Sequence, residues 1–131
     1  MEIAVDFAGG KKVNAEFKQF KLETDQSVKG GGGGTAPEPF DLFLASIGTC
    51  AGYYVLDFCA SRDISTDGIR LRMKTERDEK KKMLGKITIA IQLPADFPVK
   101  YKEAVVRAAE ACSVKKHIFA PPEFEIHAVD V

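Results

Sequence analysis

The chain has no surplus of charge of either sign: nineteen lysines and arginines are offset by nineteen aspartates and glutamates across 131 residues. That balance removes the one-signed footprint by which nucleic acids and anionic membranes are held, so the expected partners are small molecules or protein. The opening residues, MEIAVDFAGGKK, alternate apolar and polar and lack a basic start followed by an apolar stretch, so no export signal is expected. Only 15 uncharged residues lie between Asp41 and Asp57, short of the roughly 20 that span a bilayer, which favours a buried helix there. There is no Cys-x-x-Cys, and His117 and His127 fall outside any His-x3-His spacing, so the ligand pattern of a metal site is missing and no metal or cofactor is expected. Five glycines, Gly30 to Gly34, carry no Gly-Lys-Ser/Thr ending and follow no apolar strand, which favours a flexible loop over a phosphate cradle. A Gly-x-Ser-x-Gly elbow is absent as well, which leaves serine-hydrolase chemistry unsupported. With three cysteines and no export signal, a reducing cytoplasmic setting is the expectation.

What is present is organised around Pro37 to Ser61. Phe40, Phe43, Leu44, Ile47, Cys50, Ala51, Tyr54, Val55 and Phe58 recur at the spacing of a broad helical stripe. The apolar residues cover more than one face of that helix, so a single sheet would leave the others bare and a partner subunit is expected to cover them. Before the helix, Ile3, Val5 and Phe7, then Val13, Ala15 and Phe17, alternate around Gly9-Gly10 as a hairpin, and Phe20 to Thr24 reads as a third strand. After it, Ile69 to Thr75 and Ile87 to Leu93 form a second hairpin, with a tip, ERDEKKKMLG, charged in both signs and expected to be solvated. Pro98 opens a second long helix with Tyr101, Ala104, Val105, Ala108 and Cys112 on one face, and Pro121-Pro122 ends it. Phe124, Ile126 and Ala128 alternate as a closing strand. The order β-β-β-α-β-β-α-β predicts one α+β domain over residues 1–131, mostly antiparallel, with helices on one sheet face; 45% hydrophobic residues suffice for its core.

The three cysteines are the candidates for chemistry. Positions 50 and 59 lie about 180° apart around a helix, so Cys50 and Cys59 are not expected to bond each other. Ala45, Ser46, Gly48, Thr49, Ala51 and Gly52 surround Cys50, and two glycines inside a helix each cost about 1 kcal/mol relative to alanine, which calls for close approach of another backbone. The second helix offers Ala104, Ala108, Ala109 and Ala111, so a crossing there would set Cys112 level with Cys50. Two readings stay open on spacing alone: a redox pair, or two buried cysteines packed as small hydrophobes.

The segment PEPFDLFLASIGTCAG, followed some sixty residues later by AACSVKKH, resembles the OsmC/Ohr family of osmotically induced and organic hydroperoxide resistance proteins along nearly the whole chain. The resemblance implies an intertwined homodimer with two central helices enclosed by sheets. It also implies thiol peroxidase chemistry, with Cys50 as peroxidatic thiolate, Cys112 as resolving thiol, organic hydroperoxides as substrates and a dithiol as reductant. An apolar pocket formed by Phe40, Phe43, Ile47 and Tyr54 would favour organic peroxides. The alternative is a protein of the same fold that binds a small ligand without turnover. Where the family carries its catalytic glutamate this chain has Phe40, with Asp41 one residue later as a possible supporting carboxylate, and no arginine precedes Arg62. Mid-helix placement and apolar surroundings should therefore keep Cys50 a slow thiol, unless Arg62, Arg70, Arg72 or Arg107 reaches it.

Overall fold

A computed structural model describes residues 1–131. The backbone groups into two compact units, Met1–Ala45 and Ser46–Val131. In the first, β1 (Ala4–Phe7), β2 (Val13–Phe17) and β3 (Phe20–Thr24) form an antiparallel sheet in the order β1-β2-β3. Gly9 and Gly10, with φ of 93° and 58°, make the first turn in a backbone region that other residues rarely adopt. Phe17 pairs with Phe20 across the second turn, their ring centroids 6.0 Å apart.

The glycine run folds around Asp25, which is 1% exposed. Its carboxylate accepts hydrogen bonds from the Thr35 hydroxyl (2.7 Å) and from the backbone N–H groups of Thr35 (3.1 Å), Gln26 (2.8 Å) and Gly33 (3.2 Å). These bonds, the Thr35 hydroxyl foremost, hold the carboxyl at a pKa of about 2. The N–H groups of Gly30, Gly31, Gly32 and Gly34 are bonded within the same loop, so none is left to cradle a phosphate. A Cβ on Gly32 would collide with the Gln26 carbonyl and the Asp25 carboxylate; the loop closes only with glycine there.

The helix α1 (Pro39–Ala60) starts in the first unit and continues through the second. By length and composition it could cross a membrane, but Ile47, Ala51, Val55, Phe58 and Cys59 are buried against the rest of their own chain. Next come β4 (Arg70–Asp78) and β5 (Met83–Gln92), an antiparallel pair. The register slips between Glu76 and Arg77, and Gly85 is the extra residue of a bulge; a Cβ there would sit 2.9 Å from that of Asp78. Ala51, Val55, Phe58, Cys59, Phe97, Val105 and Ala109 form the core, with Leu71, Ile89 and Ile91 of the sheet against it. Fully burying a side chain such as Val55 or Val105 contributes roughly 1.5–3 kcal/mol.

Two expected elements differ. The second long helix is broken: a 3-10 turn at Val99–Tyr101 leads into α2 (Lys102–Glu110), and α3 (Ser113–Phe119) starts anew after a joint at Ala111 and Cys112. Cys112, at φ −50° and ψ 121°, has left the helical region and precedes α3 as its cap residue, its carbonyl accepting the Lys116 N–H at 3.1 Å. The closing strand over Phe124, Ile126 and Ala128 does not form. Alternation supplies a face but not a hydrogen-bonding edge, and no strand in the chain pairs with this segment; Phe124 and Ile126 remain 80% and 94% exposed. The architecture is α+β, with two antiparallel sheets and three α-helices.

Candidate active site

Ala51, on the buried stripe of α1, packs into the core, and this turns its neighbour Cys50 to the edge of that stripe, half-buried. The joint between α2 and α3 meets it there. The Cys50 Sγ lies 3.6 Å from the Ser113 Oγ, and Cys112, fully buried, is the residue that directly precedes Ser113 at this joint. The expected pair is thus brought together, with both thiols free.

Burial raises the pKa of Cys50, but the N–H of Val114, the Cys112 side chain, and the hydroxyl and N–H of Ser113 outweigh it and bring the thiol from 9.0 down to about 7. These donors oppose the burial on which the expectation of a slow thiol rests. The sequence places Cys50 in mid-helix, away from the ends of α1, yet the break at Cys112 directs the first donors of another helix onto it. No cation takes part. Arg62 lies 3.8 Å over the Phe58 ring and donates to the Phe58 carbonyl at 3.1 Å, Arg72 donates to the Gln92 side chain and Arg107 pairs with Glu103; Arg70 does not act on Cys50 either. Asp41, the possible supporting carboxylate, accepts the Glu38 N–H at 3.0 Å, where it serves the start of α1. Cys59 sits in the core with no exposure, its pKa raised by burial against a smaller opposing effect of Arg62, so it is a packing residue kept as a thiol.

Beside the turn that carries Cys50 is a cavity of about 650 Å³, walled by Ile47 and Ala51 of α1, Ile87, Ile89 and Ile91 of β5, Val106 and Ala109 of α2, and Ile118 and Phe119 of α3, with Lys86, Glu110 and Lys115 among its polar groups. Of the four residues expected to line an apolar pocket, Ile47 does so. Phe40 and Phe43 stack on each other with centroids 5.5 Å apart, and Tyr54 meets Tyr53 edge-on at 5.5 Å. The cavity takes only Ile47 and Ala51 from α1, and its other walls come from β5 and from α2 and α3, whose break was not read from the sequence. The helix glycines also find a different setting: Gly48 has Met73 Sδ at an ordinary 3.9 Å, and the side of Gly52 is open. No other backbone approaches either within the chain.

The family model for OsmC-like proteins matches residues 31–127. The chain belongs to the OsmC-like family. Solved structures agree with that fold. An OsmC-like protein from Mycoplasma pneumoniae matches with a TM-score of 0.70 at 12% identity, over 92% of this chain and 87% of that one. A Psychrobacter arcticus protein of the osmotic stress and detoxification response matches with a TM-score of 0.74 at 22% identity, over 87% of this chain and 85% of that one. A Legionella pneumophila organic hydroperoxide resistance protein matches with a TM-score of 0.59 at 20% identity, over 89% and 87%. No curated protein matches in sequence. In this OsmC-like chain the thiol pair, its donors and the cavity all belong to the second unit.

Proposed function

We propose that this OsmC-like protein is a thiol-dependent peroxidase for organic hydroperoxides, acting through Cys50 and Cys112 in a reducing cytoplasm. The observation that carries the reading is the meeting of Cys50, whose sulfur lies 3.6 Å from the Ser113 hydroxyl, with the joint where the buried Cys112 directly precedes Ser113. The Cys50 thiolate attacks the terminal oxygen of R–O–O–H, the O–O bond breaks, and RO⁻ leaves and takes a proton from water. Cys50 is then a sulfenic acid. The Cys112 sulfur attacks it, a disulfide forms and water departs. A dithiol reopens the disulfide by two exchanges and becomes a disulfide itself. The apolar walls of the neighbouring cavity suit the organic part of the peroxide.

The same cavity supports a second reading, a protein that holds a small apolar ligand without turnover. Peroxide consumption with a dithiol reductant separates the two: the enzyme consumes organic hydroperoxide beyond a protein-free control, and no consumption across several peroxides and reductants leaves only binding. In Cys112→Ser, one equivalent of peroxide should stop at the Cys50 sulfenic acid, trapped by a 1,3-dione. The parent should yield a Cys50–Cys112 link with Cys59 free by peptide mapping; a Cys50–Cys59 link would defeat the assignment.

A homodimer completes the proposal. Tyr53 and Leu56 on α1 are 59% and 51% exposed, the side of Gly52 is open, and Phe124 to Val129 offers an alternating segment with no edge in its own chain. A second copy supplies both the cover and the edge. Light scattering that finds a folded monomer at micromolar concentration would overturn this part.

A further inference from the structure

We infer that the Ser113 hydroxyl donates to the Cys50 sulfur and is one of the contacts that hold it as a reactive thiolate. The inference deepens the peroxidase reading and rests on it for its biological meaning, although the chemistry it invokes is measurable without peroxide.

Ser113 Oγ stands 3.6 Å from Cys50 Sγ, within the reach of a sulfur hydrogen bond. When Cys50 is a thiol, either atom can donate. When it is a thiolate, only the serine O–H can, and a bond to an ionised partner is the stronger one. The hydroxyl therefore favours the charged state over the neutral state, which is what lowers a thiol's pKa. Ser113 keeps its place because the chain restarts as a helix there. His117, one turn on, donates its Nδ1–H to the Ser113 carbonyl at 2.6 Å and fixes the residue from below.

The N–H groups of Val114 and Ser113 act on the same sulfur and remain in a Ser113 side-chain variant. Cys112 is the titratable side chain that reaches it, from the α2–α3 joint. On the cavity side Lys86 of β5, Glu110 of α2 and Lys115 of α3 are the charged groups, and His117 touches Ser113 and not Cys50. Ser113 is itself exposed, so removing its hydroxyl leaves the core intact.

The test is the pH profile of Cys50 alkylation by iodoacetamide in Cys112→Ser, with and without Ser113→Ala, and with Ser113→Thr as the conservative variant. Losing one hydrogen bond to a charged group should raise the Cys50 inflection by about one pH unit. With a Brønsted coefficient of 0.4–0.5, Ser113→Ala should then react about threefold slower than its parent at pH 6 and about threefold faster at pH 9.5. Ser113→Thr should keep the parent's profile. A purely structural role would change amplitude or stability without that crossing of the two curves. An unshifted inflection in Ser113→Ala, with circular dichroism matching the parent, would overturn the inference, as would a Ser113→Thr profile that follows the alanine variant. Absence of peroxide turnover in a protein that still shows the crossing would count against the peroxidase reading alone.

Discussion

Alkylation of Cys50 in a Cys112→Ser variant, followed from pH 5 to pH 10, should show one inflection near pH 7. The serine keeps a donor beside the sulfur, and Cys59 stays silent because it is fully buried with a raised pKa. The size of the effect follows from two opposing factors. At pH 7 a thiol of pKa about 7 is half ionised, whereas one at 9.0 is about 1% ionised, a gain of about 50-fold in thiolate. Thiolates of lower pKa are weaker nucleophiles, and a Brønsted coefficient of 0.4–0.5 over two units takes back about six- to tenfold. Cys50 should therefore react about five- to eightfold faster than an unperturbed thiol at pH 7, and about six- to tenfold slower above pH 9, where both are ionised. The assay is iodoacetamide labelling under pseudo-first-order conditions, read by peptide mass for Cys50, with Cys50→Ser as the blank. An inflection at or above about 8.5, the value of a free cysteine, would refute the reasoning, because the donors at the α2–α3 joint would then not act on the sulfur.

Asp25 should give the fold an acid limit. Its folded pKa lies below the unfolded value, so its contribution is fully present above about pH 4 and is lost as pH falls through about 2. Denaturant midpoints should decline over that window in the parent and decline less in Asp25→Asn, which should also be less stable at pH 7; equal slopes in the two proteins would count against it. Gly32→Ala, whose Cβ would strike the Gln26 carbonyl, should lose about 1–3 kcal/mol in a urea melt, and a neutral result would mean that the loop is not closed on Asp25. Gly52→Ala, with open space at its side, should gain about 0.5–1 kcal/mol of helix stability at concentrations where the chain is monomeric. A loss there, measured by the same melt, would place another part of the same chain against that face.

The elements that could be read from the sequence are those whose signal is periodic and local. The stripe through Ile47, Ala51, Val55 and Phe58 marks α1, and the alternation at Leu71 and Met73 facing Ile89 and Ile91 marks the second hairpin, because each pattern is fixed by which side of one element meets the core. The sequence sets Cys112 level with Cys50 through a crossing of two helices at small residues, whereas Cys112 lies at a joint outside both helices and no backbone approaches Gly48 or Gly52 within the chain. The break at Ala111 and Cys112 carried no comparable signal: no proline or glycine stands there, and the residues on both sides favour helix. It is set by tertiary packing, which buries Cys112 completely at the end of the stripe of Val105 and Ala109. The closing segment fails in the opposite way. Its alternation is legible, but a strand is a property of two segments, and the chain offers this one no edge. Asp25 was missed because its bonds run to a loop up to ten residues ahead, with no spacing rule to announce them.

The break also explains how the thiolate is stabilised without an arginine. A guanidinium beside a thiolate acts through charge, so its effect would weaken with added salt to the degree that solvent reaches the pair. Hydrogen bonds from Ser113, Val114 and Cys112 act at contact and bring no net charge into the site. Activation by such donors should accordingly leave the Cys50 inflection nearly unmoved between low and high ionic strength, whereas an activating cation would let it drift upward as salt is added. The arrangement has a chemical consequence as well. On the peroxidase reading, an alkoxide leaving at Cys50 would take its proton from water reaching the half-buried thiol. On the same reading Cys112, next to Ser113 at the α2–α3 joint, would serve both as a donor to the thiolate and as the partner of the sulfenic acid.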